Sequence, residues 1–349
     1  MSLIDEDNTP FETSDPSDLD LKLKTSIETL TQILGPISSL SSSSQDPSLT
    51  LLHDPNLTQT ISNHLKLPNS GAGDNNLCRW LYDTFQSSHP DLQLVVLSFL
   101  PIIGGLYLPR AIVRAASLAG FEAILLALYA HETTSRDGQP ITVSIPDLSN
   151  SSLYHESKAP VKNKAVELNM AIMSPSLEPH GTVRSTKRAR IVGVALELYY
   201  KKIASMPITS KIEFCKFCLV WADGNGDELG KKASLGDEEG MSTTSNGGEE
   251  KSEPKEEKSW RRVPLPWELL QPALRILGHC LMGPNRTKEL TDAALAATNS
   301  LHVRALQDVD SQAILATGSL LRLGTMATET SPEPDHTEIR DYMNPVISL

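Results

Sequence analysis

This 349-residue chain lacks the usual marks of an enzyme. It has no phosphate-cradling glycine loop, no nucleophile elbow and no HExxH run, which sets aside the nucleotide-binding, α/β-hydrolase and zincin classes at the level of local pattern. Four cysteines (Cys78, Cys215, Cys218 and Cys280) are too few for a disulfide framework at this length. The opening MSLIDEDNTPFE is acidic, where a secretory leader would be basic and then apolar and a transit peptide Arg-rich. Cytosolic residence is therefore expected. The glycine that myristoylation requires is replaced by Ser2, and NPVISL is no prenylation box.

What is present is a large apolar body with charge pushed to its margins. Apolar residues make up 39% of the chain, enough for a sizeable core, and the net charge is −12. Residues 1–20 hold seven acids and no base, residues 224–262 ten acids against seven bases, and residues 325–349 five against one. Without these segments the remainder is slightly basic and close to neutral. A neutral body argues against phosphate-driven nucleic-acid binding, so no nucleic-acid partner is expected.

The periodicity predicts an all-α fold, an irregular bundle or solenoid-like stack without a fixed-period repeat. Residues 1–17 read as a disordered acidic N-terminus, 18–323 as one helical domain interrupted by a disordered acidic insert at 224–262, and 324–349 as a disordered tail. A first helix is expected over Asp18–Leu34, a linker at Ser39–Ser44, and further helices at Asp54–Leu67, Leu77–Ser88, Pro90 to Pro101 and Phe121–His131. Pro140–Ile145 alternates like a strand or hairpin arm, a β-like excursion near 140–146. Val161–Ser174 is read as partly helical. Thr182 or Ser185 is expected to cap a helix through RARIVGVALELYYKKIASM, and Ser210–Trp221, Pro272–Leu281, Lys288–Val303 and Asp310–Leu323 complete the set.

Each stretch that could carry chemistry also has a plainer explanation. Cys215 and Cys218 form a CKFC pair, but no second CxxC or HxxxH answers it, so the two read as core rather than as a zinc or redox site. No metal or cofactor is expected. Leu92–Pro109 approaches membrane-spanning length, with Arg110 and Arg114 as flanking positives, yet Pro101 and the Gly104-Gly105 pair favour a buried helix. Arg184, Lys187, Arg188 and Arg190 form a basic cluster, read either as a solvated face or as an anionic-lipid patch, with the first three on one helical face.

One set of residues points further. The chain has an FLP bend ending at Pro101, an EA-LL-LY segment beginning at Glu122, and IPDLSNSSLYHE, which contains Pro146, Leu148, Tyr154, His155 and Glu156. In this order it resembles the helical domain of the hyccin family. The likeness is looser up to about Leu323 and absent from 224–262. It implies a scaffold subunit without catalytic residues, packed along a tetratricopeptide-type partner. The pair would stabilise and position the phosphatidylinositol 4-kinase alpha catalytic subunit, brought to the plasma membrane by a lipid-anchored peripheral adaptor. Membrane association would then be indirect, at the cytoplasmic face. The chain lacks the extended tail that follows the helical domain in animal members and looks more like the plant branch. The competing expectation is a soluble enzyme whose dispersed site gathers His155, Glu156 and His180.

Overall fold

The computed structural model describes residues 16–35, 47–113, 117–146, 168–179, 182–184, 187–223 and 263–329. Side-chain caps and prolines set several of the helix starts. Asp54 Oδ1 accepts from Asn56 N at 2.8 Å, Asn75 Oδ1 from Cys78 N at 2.9 Å, and Thr287 Oγ1 from Leu290 N at 3.3 Å. The described residues form twelve α-helices and one two-stranded sheet. In order these are α1 (Pro16–Leu34), α2 (Pro47–His53), α3 (Pro55–Lys66), α4 (Asn76–Gln86), α5 (Pro90–Ser98), α6 (Leu100–Val113), α7 (Ala119–Ser135), β1 (Ile141–Pro146), β2 (Leu168–Ser174), α8 (Arg188–Lys201), α9 (Ile208–Asp223), α10 (Trp267–Met282), α11 (Lys288–Asp308) and α12 (Ser311–Glu329). The expected all-α class holds.

Packing follows two rows. One runs α1, α4, α7, α8, α10, α12, and the other runs α3, α6, α9, α11, with α2 against α5 at its start. A single apolar cluster fills the space between them, from Leu30 in α1 to Leu320 in α12. Tyr107, Tyr129, Tyr199, Phe99, Phe121 and Phe214 are its largest fully buried side chains. Two long-range side-chain bonds tie buried donors to backbone carbonyls: Trp80 Nε1 donates to Ser26 O at 2.9 Å, and Ser210 Oγ donates to Ser98 O at 2.6 Å. Arg304 clasps the two ends of the 224–262 segment. Its Nη1 donates to Ala222 O (3.3 Å) and its Nη2 to Val263 O (3.4 Å), while Trp221 Nε1 donates to Pro264 O (3.1 Å).

Several expectations need correction. The partly helical reading of Val161–Ser174 is wrong over its described part, because 168–174 is strand β2, antiparallel to β1. Pairing with β1 supplies the backbone partners that a lone segment could have found only in a helix. Neither Thr182 nor Ser185 caps α8: it starts at Arg188 after Lys187 without a side-chain cap, Thr182 Oγ1 donates to Pro179 O, and Ser185 lies outside the described residues. α8 ends at Lys201, and a 3-10 turn at Ile203–Ser205 takes the chain to Pro207. Helix α2 was not foreseen. α10 begins five residues before Pro272, and α12 continues to Glu329, past the boundary drawn at 323. The acidic segments 1–15, 224–262 and 330–349 lie outside the described residues.

Candidate partner-binding surface

The residues singled out in the sequence divide into three groups. The first is structural. Pro101 is buried in the first turn of α6, directly after the break at Phe99, where α5 and α6 meet at 45°. Among the described residues no single helix is long and apolar enough to cross a membrane. The bent α5–α6 pair passes only jointly, and its Leu92, Val95, Ile103 and Tyr107 are buried in the protein. Glu122, in the first turn of α7, accepts from Tyr107 Oη at 3.1 Å and lies 3.8 Å from Arg188 Nη2, so it ties α6, α7 and α8 together. Burial, then the Glu122 charge, pushes the Tyr107 hydroxyl up to about 12. Pro146 ends β1 opposite Leu168. The second group, Leu148, Tyr154, His155, Glu156 and His180, lies outside the described residues.

The basic cluster is the third group, and it does not form one helical face, since α8 begins only at Arg188. Lys187 pairs with Glu178, Arg188 with Glu122, and Arg190 Nη2 donates to Pro175 O (3.2 Å) and Ser176 O (2.9 Å). Arg184 is exposed. Two of the four cations, Lys187 and Arg190, thus hold the strap at 175–178 against the bundle, while Arg188 ties α8 to α7.

That strap anchors the β-ribbon. Leu177 N donates to Gly138 O at 2.8 Å, and Glu178 N donates to Tyr129 Oη at 3.1 Å. Ser174, fully buried, accepts from Arg136 Nη1 at 2.9 Å. Arg136 also reaches Glu197 Oε2 at 3.3 Å and lies 3.5 Å from Glu132 Oε1, which Lys201 pairs in turn. Two acids and two bases thus meet at the root of the ribbon. Burial outweighs the nearby Ser174 and Arg136 and holds the Glu197 carboxyl above its ordinary range. Only the i,i+4 spacing of Glu132 and Arg136 is visible in the sequence; Ser174 of β2 and Glu197 and Lys201 of α8 join them from elsewhere in the chain.

Beyond its root the ribbon exposes apolar side chains on both faces. Thr142 opposes Ile172 and Ser144 opposes Met170 on one face, while Val143 opposes Ala171 on the other, with Ile145 beside it. Met170 is 70% exposed and Ile172 68%. A two-stranded ribbon gains little stability by itself in water, so an apolar ribbon of this kind suits a surface completed by another element. Its last residues border an open groove of about 670 Å³ between α8, α10 and α12, lined by Met173, Tyr200, Trp267, Arg275, Met282 and Leu323 among others. The Arg275 guanidinium lies over the Tyr200 ring, 4.1 Å from its centroid. Leu315, Leu323 and Met326 leave a further apolar row exposed on α12. Contiguous exposed apolar surface of this kind marks an interaction site. On the Ala-rich α11, Ala294 and Ala297 are buried in the core and so are not available to a partner.

No group of three or more His, Cys, Asp or Glu is placed to hold a metal among the described residues. Cys215 and Cys218 are fully buried in α9, and Cys280 joins them from α10. Burial drives the Cys218 thiol well up, as for an inert core residue. Cys218→Ala is expected to cost about 1 kcal/mol from a small cavity. Cys218→Ser should cost more, because a buried hydroxyl needs a partner. Paired thermal melts check this, and equal loss from both would count against the core assignment.

Compared with known families, residues 42–348 match the family model described as Hyccin.

Proposed function

The chain belongs to the hyccin family, whose members are non-enzymatic scaffolds, and from that premise we propose that it pairs with a tetratricopeptide-type protein to stabilise and localise a phosphatidylinositol 4-kinase at the cytoplasmic face of the plasma membrane. Its effect on phosphatidylinositol 4-phosphate synthesis is indirect, through the folded form of its partner, which it binds preferentially. A lipid-anchored adaptor brings the assembly to the membrane. The family match over nearly the whole described body carries this reading. The apolar ribbon and groove support it, since a large interface needs contiguous apolar surface rather than a catalytic pocket.

The test is affinity purification of the tagged chain from its own cells in mild detergent, followed by mass spectrometry. Stoichiometric recovery of both a tetratricopeptide-type protein and a phosphatidylinositol 4-kinase is expected. A chain carrying Ile172→Asp and Trp267→Asp keeps its fold, because both side chains are exposed, and loses about tenfold or more of that recovery, as for loss of an interface hot spot. Undiminished recovery by the double variant would sink the ribbon and groove as the contact surface. Recovery of neither protein by the parent chain would sink the kinase-complex reading.

A further inference from the structure

The groove between α8, α10 and α12 carries apolar side chains and, as its standing charge, Arg275 held over Tyr200; no acid is among its described lining residues. The chain that continues from α12 has the complementary composition. Residues 330–349 read TSPEPDHTEIRDYMNPVISL, with acids at Glu333, Asp335, Glu338 and Asp341 and apolar side chains at Ile339, Tyr342, Met343, Val346 and Ile347. We propose that this C-terminal segment docks into the groove of its own chain. Its acids turn toward Arg275 and its apolar residues cover Trp267, Met282 and Leu323, so that it competes with a partner for the same surface. The inference rests on the partner-binding reading of the groove.

The reach is ample. Leu323 lines the groove, and α12 ends at Glu329, about 9 Å further along the helix at 1.5 Å per residue. Residues 330–338 can span about 30 Å when extended, enough to turn back and lay Ile339 onward along the groove. The tether raises the local concentration of the segment at its site, so a modest intrinsic affinity suffices to keep it there. A partner must then displace it, which makes the tail a regulator of access. The family match extends to residue 348 and so spans most of this segment.

The test uses the full chain with photoreactive benzoylphenylalanine in place of Met282, irradiated at low concentration and mapped by mass spectrometry. An intramolecular cross-link into residues 339–349 is expected, in a product that migrates as one chain. Adding Met343→Asp and Ile347→Asp should lower its yield about tenfold, equivalent to weakening by one decade of affinity, with an unchanged melting curve. A cross-link to a second copy, to residues 224–262, or to nothing on the chain overturns the docking. The Met343→Asp, Ile347→Asp chain should also recover more partner from cells than the parent, and equal recovery overturns the competition. If neither chain recovers a partner, the scaffold reading fails, while the cross-link still decides the docking.

Discussion

Arg136→Met is expected to cost about 3–5 kcal/mol of folding stability, because it leaves buried carboxylates without their central cation. The side chains of Glu132 and Glu197 are 1% and 6% exposed, and Arg136, at 6%, lies between them. Lys201 would remain paired with Glu132 from a partly exposed position, and Arg190 would be left as the nearby cation for Glu197. For a domain whose whole stability is about 5–15 kcal/mol, this is a large share. The loss should also depend on pH. Glu197 already sits above the ordinary carboxylate range through burial, and removing Arg136 raises it further. A carboxyl raised in the folded state favours folding when protonated, so its contribution is present at low pH and lost as pH rises through the folded value. The deficit should therefore be smaller at pH 5 than at pH 7. Urea unfolding of parent and variant at both values checks this. An equal deficit at the two would show that lost packing, rather than stranded charge, is the cause. Arg136→Met combined with Glu197→Gln should recover part of the loss. Because Arg136 also holds Ser174, the single variant should weaken partner recovery in parallel with the ribbon's attachment.

Gly193→Ala is the second large effect, and it is steric. A Cβ at Gly193, in the middle of α8, would stand 2.3 Å from Glu268 O and 3.2 Å from Glu268 C on α10. Both obstacles are backbone atoms, so a side-chain rotation cannot relieve them. The carbonyl is there for a reason that can be read from the sequence. Pro272 has no N–H to return to the residue four before it, which is Glu268. The freed carbonyl lies against the Cα of Gly193, a contact only glycine allows at that distance. Alanine would gain about 1 kcal/mol of helix propensity, but overpacking of this kind costs about 1–3 kcal/mol or more, and the clash should win. Gly104→Ala is the control. There a Cβ would meet only Val192 Cγ1, at 3.7 Å, so the change should raise stability by about 0.5–1 kcal/mol. Thermal melts that moved both variants in the same direction would refute the steric account. Pushing α8 from α10 would also deform the groove between Tyr200 and Trp267 and so lower partner recovery.

The helices were legible in the sequence because their determinants are local. Apolar spacing, Asp54 and Thr287 as caps, and the prolines that start α3 and α5 act within a turn or two, and together they establish an all-α chain. The break at Phe99 was visible for the same reason. Family membership was legible from the order of short signatures around Pro101, Glu122 and Pro146. Strand β2 was not, because LNMAIMS becomes a strand only when β1, more than twenty residues earlier, offers its backbone. The meeting of Ser174 and Glu197 with the Glu132–Arg136 pair was equally hidden, since only the i,i+4 pair has a spacing that records it. The basic cluster looked like a free surface patch until tertiary structure supplied Glu178, Glu122 and the 175–176 carbonyls as its partners. Thus the sequence by itself determined most of the helical segments and the family they belong to, because hydrogen bonds and caps within a helix are close along the chain. Only the tertiary structure decided which apolar residues stay outside, because burial depends on neighbours that are distant in sequence. Met170, Ile172 and Trp267 are no more apolar than their buried counterparts; they are exposed because nothing in the described fold packs over them.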